Sequence, residues 1–174
     1  MKLQKYFIMK KIVLIIGLLS LEMIQAQVAI GKETVDGDGI LDFKSNTTNG
    51  ILLPIVETLP TNAVEGTILM DKNDKVVKMK TDSEWISLSD PGSIDNVSFN
   101  TSTETPAQTN VIIGSATTTA PGVLVLESAD KALILPKVAA PDTSVKNPFP
   151  GMICYDTVSK TLAVFDGLKW SYWK

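Results

Sequence analysis

The chain contains no histidine and no arginine, and its single cysteine is Cys154. Without histidine it lacks the side chain that titrates near neutrality and serves as the commonest neutral metal ligand. Without arginine it lacks the planar fork that grips phosphate or carboxylate through two parallel hydrogen bonds. One cysteine can neither close an internal disulfide nor build a thiolate cage for zinc. Catalysis is therefore disfavoured, and no catalytic residue, cofactor or metal site is expected. Nucleic acid is disfavoured as a partner too, because the formal net charge is −3 and no lysine cluster lies beyond the N-terminus.

What the chain does have begins with an export signal. Lys10 and Lys11 precede the apolar run IVLIIGLLSL (12–21), and small Ala26 follows it. A basic start, an apolar stretch of this length and a small residue at the candidate cleavage point read as a secretory signal peptide over 1–26. The run is too short to span a bilayer, which needs about 20 apolar residues. Cleavage after Ala26 makes Gln27 the first mature residue. Met9 also opens a complete signal, so residues 1–8 read either as an upstream start or as a longer basic region. Removing 1–26 takes four of 16 lysines and one of 19 acids, leaving 12 against 18 and a net charge of −6. Such an acidic, moderately apolar chain suits an exported protein, extracellular or associated with the cell surface or outer membrane, with the periplasm as the other compartment.

The mature part is written twice. GTILMDKNDKVVKMKTDSEW (66–85) returns in step as GMICYDTVSKTLAVFDGLKW (151–170). Upstream, VAIG (28–31) matches VIIG (111–114), GILDFKS (39–45) matches GVLVLES (122–128), and ILLPIV (51–56) matches LILPKV (133–138). The blocks keep their order, with small insertions between them, which marks a repeat. The spacing predicts repeat 1 over 27–89, repeat 2 over 110–174, and between them a connector at 90–109 rich in Ser, Thr, Asn and Pro.

Inside each repeat the local signals are β: short runs of branched residues separated by turn formers. Alternation puts Val77 and Met79 on one face against Lys78 and Lys80, and Leu162 and Val164 against Ala163 and Phe165. Each repeat is thus expected to be a meander with one packed face. Pro54 and Pro136 interrupt the apolar runs, marking them as edge strands or extended arms. No helical period is seen in the mature chain. The fold class is therefore all-β.

The order of these motifs resembles a repeat in short exported bacterial proteins and is similar to modules of phage tail-fibre proteins. The carriers in repeat 1 are Ile30, Gly31, Leu41, Asp42, Ser45, Leu53, Pro54, Gly66, Asp71 and Trp85. In repeat 2 they are Gly114, Leu124, Ser128, Leu135, Pro136, Gly151, Tyr155, Asp156, Asp166, Gly167 and Trp170. The resemblance covers nearly the whole mature chain and implies a non-catalytic surface or fibre module, often homotrimeric. It departs at Ile55 and Lys137, where the family often has arginine, at Met70 in place of an aromatic, and at Val125 in place of the aspartate.

Smaller motifs have plainer readings. SADK (128–131) spells Ser-x-x-Lys but lacks the accompanying hydrolase motifs, so a turn is expected. DGDGILD (36–42) opens like a calcium loop but has Ile40 at its fifth position and no closing acid. Triplets at 46–48, 96–98 and 100–102 match the N-glycosylation pattern. Cys154 is expected to pack as a small hydrophobe, with an intermolecular disulfide as the alternative. Trp85 and Trp170, at the same repeat position, are expected in the core. Alternation leaves Tyr172 or Trp173 exposed or at an interface. Leu53 and Leu135, in runs too apolar for a small meander to cover, are expected at contacts between copies of the chain. The expected partner is thus the chain itself, as a homo-oligomer. Trimeric association follows from the fibre resemblance alone. Other envelope proteins and surface glycans are further candidate partners. The alternative reading is a carbohydrate-binding protein with two small β-domains, its exposed aromatics stacking on sugars.

Overall fold

A computed structural model describes residues 4–5, 9–11, 27–95, 97, 111–120 and 122–174. The apolar run 12–21, Ala26, most of the connector and the glycosylation triplets beginning at Asn96 and Asn100 lie outside the described residues. Among the described residues no helix is long and apolar enough to cross a membrane.

The fold is all-β, with a solenoid-like stacking of short sheets. The first half contributes β1 (Val28–Ile30), β2 (Gly39–Phe43), β3 (Ile51–Leu52), β4 (Ile55–Val56), β5 (Ile68–Asp71), β6 (Val76–Lys80) and β7 (Trp85–Ser87). The second contributes β8 (Val111–Ile113), β9 (Leu124–Leu126), β10 (Ala132–Leu133), β11 (Lys137–Val138), β12 (Met152–Asp156), β13 (Thr161–Phe165) and β14 (Trp170–Trp173). One helical turn, α1 (Pro141–Ser144), interrupts the β pattern; Pro141 at its start presets the helical φ.

Strand pairing runs alike in the two halves. β1 pairs β2 in parallel, as β8 pairs β9. β4 joins β5 in parallel, β5 to β7 follow antiparallel, and β11 to β14 repeat this order. The hairpins are closed by the same chemistry. Asp71 Oδ1 accepts the amide of Asn73 at 2.8 Å, and Asp156 Oδ1 accepts that of Val158 at 2.9 Å. An aspartate that caps its own turn in this way fixes where the strand ends. Lys75 and Lys160 then take left-handed φ values of 58–59°.

The halves are not separate. Each proline-interrupted run splits at its proline, sending its second part to its own meander and its first part to the other half. β3 pairs antiparallel with β12, Ile51 opposite Ile153 and Leu52 opposite Met152. β10 pairs in parallel with β2, Leu133 opposite Leu41. The approach of β3 is close enough to require glycine at position 50. A Cβ there would lie 2.5 Å from Met152 Cγ and 2.6 Å from the Ile153 carbonyl oxygen.

Two apolar clusters result. Val77, Leu88, Ile153 and Val164 are buried between the two meanders, with Ile51, Leu53, Ile68, Met79, Ile86, Leu135 and Leu162 packed around them. On the other face of the second meander, Val138, Val145, Met152, Cys154, Ala163 and Phe165 form a second cluster, with Trp170 against it. The one packed face expected for each meander is therefore too few for the second. The segment carrying α1 supplies Val145 to its other side, so both alternating sets of β13 are buried.

The start of the connector is also tied down. The Gly92 amide donates to the Lys75 carbonyl at 2.8 Å, and the Ser93 amide to the Asp166 carbonyl at 3.0 Å. A Cβ on Gly92 would fall 1.9 Å from that Asp166 oxygen. Residues 92–93 thus strap a hairpin of the first half to the last turn of the second.

Candidate interaction surface

Among the described residues, eight exposed apolar side chains lie on edge strands. Leu52 on β3, Leu133 on β10, Val28 and Ile30 on β1, Val111 and Leu124 on β8–β9, and Tyr172 and Trp173 on β14 are all open to solvent. A strand edge carries unpaired N–H and C=O groups, so apolar side chains beside it make a template for another strand.

Positions that correspond between the halves differ sharply here. Leu41 in β2 is 2% exposed, whereas its counterpart Leu124 in β9 is 45% exposed. The cause is coverage: β2 lies between β1 and β10, while β9 pairs only with β8 among the described residues. Polar burial follows the same asymmetry. Asp42 in β2 is fully buried, accepting Lys32 Nζ at 2.6 Å and the Asp36 amide at 2.8 Å on Oδ2, and the Phe43 amide at 2.8 Å on Oδ1. Burial alone would raise its pKa, but Lys32 and the two amides outweigh it and hold the carboxyl below its usual range. The counterpart Val125 has no such network. The 36–42 segment is thus a turn whose buried carboxylate is neutralised by Lys32, in line with the departures from a calcium loop noted above.

Two other aspartates behave alike. Burial raises the Asp71 pKa, yet Lys78 Nζ at 2.8 Å and the Asn73 and Asp74 amides bring it below the ordinary value. Alternation pointed Lys78 away from the packed face; it does point away, but it lies buried against Asp71 and Asp74. Asp156 is likewise lowered, its burial outweighed by Ser159 and three backbone amides. Cys154 is fully buried, and burial, with the Asp156 charge adding, pushes its thiol pKa up to about 12.

The aromatic residues divide. Trp170 is half-buried and tilted against Phe165, ring centroids 5.3 Å apart. Trp85 is half-buried on β7, an edge strand. Both Tyr172 and Trp173 are exposed, at 41% and 44%, and the Trp173 indole N–H donates to the Leu88 carbonyl. The register aligns Tyr155, Leu162 and Trp173 across β12, β13 and β14, so these three share one face. Leu53 and Leu135 are half-buried in the cluster between the meanders, covered by the other half of their own chain. Ser128 forms the expected turn: its Oγ accepts the amides of Asp130 at 3.3 Å and Lys131 at 3.0 Å, and donates to Asp130 Oδ1 at 3.1 Å.

Sequence reasoning marked the runs holding Leu52 and Leu133 as edge strands or arms but missed Ile68 and Leu124 as edge positions. Their signal lies in comparing the same repeat position in both halves, and it becomes visible only once the strand partners are known. Chemically this surface offers strand addition and aromatic stacking. Comparison with protein-family models, with curated proteins and with solved structures finds no match, so the functional reading rests on these residues.

Proposed function

We propose that the chain is a non-catalytic exported β-repeat protein that associates with copies of itself to build a structural or adhesive surface, as a subunit of a cell-envelope assembly. The observation that carries this reading is that Val28, Ile30, Leu52, Val111, Leu124, Leu133, Tyr172 and Trp173 are exposed on strands with an open edge among the described residues. Soluble monomers usually blunt such edges with charge, proline or a bulge, because an open apolar edge recruits another strand. The basic-apolar N-terminus (10–21) and the acidic balance of residues 27–174 support export. The trimeric state is carried by the resemblance to fibre modules. Light scattering on purified residues 27–174 at micromolar concentration is expected to give a mass above one chain, and a monodisperse monomer would overturn the reading. Fractionation of producing cells is expected to place the protein outside the cytoplasm.

A second reading, carbohydrate binding, is supported by Tyr155 and Trp173, which are exposed and share one face. Aromatic faces can stack on sugar rings. A glycan array checks it: specific binding lost in Trp173→Ala would move this reading into first place.

A further inference from the structure

We propose that a second copy of this chain completes two open strand edges by the same exchange that joins the two halves within one chain. The proposal rests on the self-association above and specifies where it occurs.

Within the chain the exchange has two joints. The second half's run reaches the first half's β2, with the Ala132 amide donating to the Asp38 carbonyl at 3.1 Å and the Ile134 amide to the Leu41 carbonyl at 2.9 Å. The first half's run reaches the second half's β12, with Ile51 opposite Ile153 and the Leu53 amide donating to the Gly151 carbonyl at 3.0 Å. Successive backbone groups of a strand point to opposite sides. Residues 132 and 134 correspond to 50 and 52 in the first run, and residues 51 and 53 correspond to 133 and 135 in the second. The two runs therefore use opposite edges of the same segment. Each keeps free the edge that its counterpart uses.

The receiving strands are left incomplete in the complementary way. β9 corresponds to β2 but has no third strand among the described residues, and Leu124 is exposed where Leu41 is buried. Residues Gly66–Ile68 correspond to Gly151–Ile153, but β4 reaches only Met70 and Asp71 of β5. Gly66 and Gly151 share a left-handed φ, +80° and +82°, so the two edges begin with the same shape. A Cβ on Gly151 would lie 3.6 Å from the Leu53 carbonyl oxygen, whereas a Cβ on Gly66 would meet nothing within 4 Å. Gly39 and Gly122 tell the same story. The first is crowded by Ile134, 2.6 Å from a notional Cβ, while among the described residues the second meets only its own strand, Val125 Cγ2 at 3.2 Å and the Leu124 carbonyl at 3.6 Å. Neither has a positive φ. Position 122 thus lacks, among the described residues, the crossing strand that crowds position 39, and that is the place a second chain would take.

Both joints fall between the same two bodies. The second half of one copy receives β3 of the next copy on β9, and offers its β10 to that copy's β5. Carrying the internal register across places Leu52 of one copy opposite Val125 of the other, its amide donating to the Leu124 carbonyl. It also places Leu133 opposite Ile68, with the Leu135 amide donating to the Gly66 carbonyl. The contact is head-to-tail, so it closes into a ring or extends as a filament according to the rotation between copies. A trimer is one closed case.

The test uses residues 27–174. Leu52→Cys and Val125→Cys chains, co-refolded and mildly oxidised, are expected to form a disulfide between unlike chains, and neither variant alone is expected to do so. Buried Cys154 does not compete. Leu124→Lys is expected to reduce the light-scattering mass to that of one chain, and Val158→Lys, on an exposed turn, to leave it unchanged. An oligomer that persists in Leu124→Lys, or that yields no unlike-chain disulfide, overturns this interface while leaving self-association standing. A wild-type monomer overturns both.

Discussion

Leu41 and Leu124 hold one repeat position in two environments, which makes them an internal control for what burial contributes. Leu41→Ala removes a side chain that is 2% exposed, beneath β10. The lost transfer energy plus the cavity left behind should cost about 2–5 kcal/mol. Leu124 is 45% exposed, so Leu124→Ala forfeits roughly half of a leucine's burial and leaves no closed cavity, a cost of about 1 kcal/mol. The difference of about 2 kcal/mol should appear as about 4–8 °C between the two melting midpoints in a chain of this size. Urea unfolding followed by tryptophan fluorescence, at protein concentrations low enough to hold single chains, measures it directly. Similar slopes in the two variants would show that only stability has changed. Equal costs at the two positions would refute the assignment of β9 as an open strand. If a second copy covers β9, the cost of Leu124→Ala should grow with protein concentration, and that of Leu41→Ala should not.

Lys78→Met leaves Asp71 buried without its cation and should cost about 3 kcal/mol, the low end for a broken buried pair because Asp74 on its other side is open to water. Adding Asp71→Asn should recover most of that loss in the same unfolding assay, and failure to do so would sink the pairing argument. For pH, Asp42, Asp71 and Asp156 all have folded pKa values below their ordinary ones. The stability they contribute is present above the unfolded carboxylate value, about 4, and is lost as pH falls through the lower folded values. With no histidine, the urea midpoint should stay flat from about pH 5 to 8 and drop below about pH 4; a clear step near pH 6.5 would contradict this. Cys154 should not react with a thiol reagent at pH 8 until urea unfolds the chain, given its burial and a pKa pushed up to about 12. Prompt stoichiometric labelling of the native protein would show that the second core cluster is open.

Val76–Lys80 illustrates what is legible in the sequence. Its alternation places Val77 and Met79 together, and they do pack toward the other meander. Turn formers separate the branched runs, and Asp71 and Asp156 among them cap their hairpins. These features are local, set by the two-residue period and by side chains that bond their own backbone. The destination of Ile51–Leu52 is not local. Nothing within the run distinguishes β12 from any other edge, because the choice depends on the fit of Gly50 beside Met152. The buried Lys78 is illegible for a related reason: its environment is made by Asp71 and Asp74 across a turn, where a period-two pattern only assigns it a direction. Leu53 and Leu135 read as too apolar for one meander and point to contacts between copies, but the structure packs them in the cluster between the two halves of one chain, a cover the sequence does not announce.

The crossing of runs between halves also has a kinetic consequence. Ile51 meets Ile153, and Leu41 meets Leu133, across separations of about one hundred residues. Closing loops of that length costs entropy before either pairing returns anything, so such contacts slow folding. The first half can form its own hairpins early, yet β2 keeps an unfilled side until β10 has been synthesised. A chain emerging in order would thus remain incompletely folded until β10 and then β12 are available. Under the export proposed above, that delay would leave the chain loose enough to thread through a translocation pore before it adopts its final form.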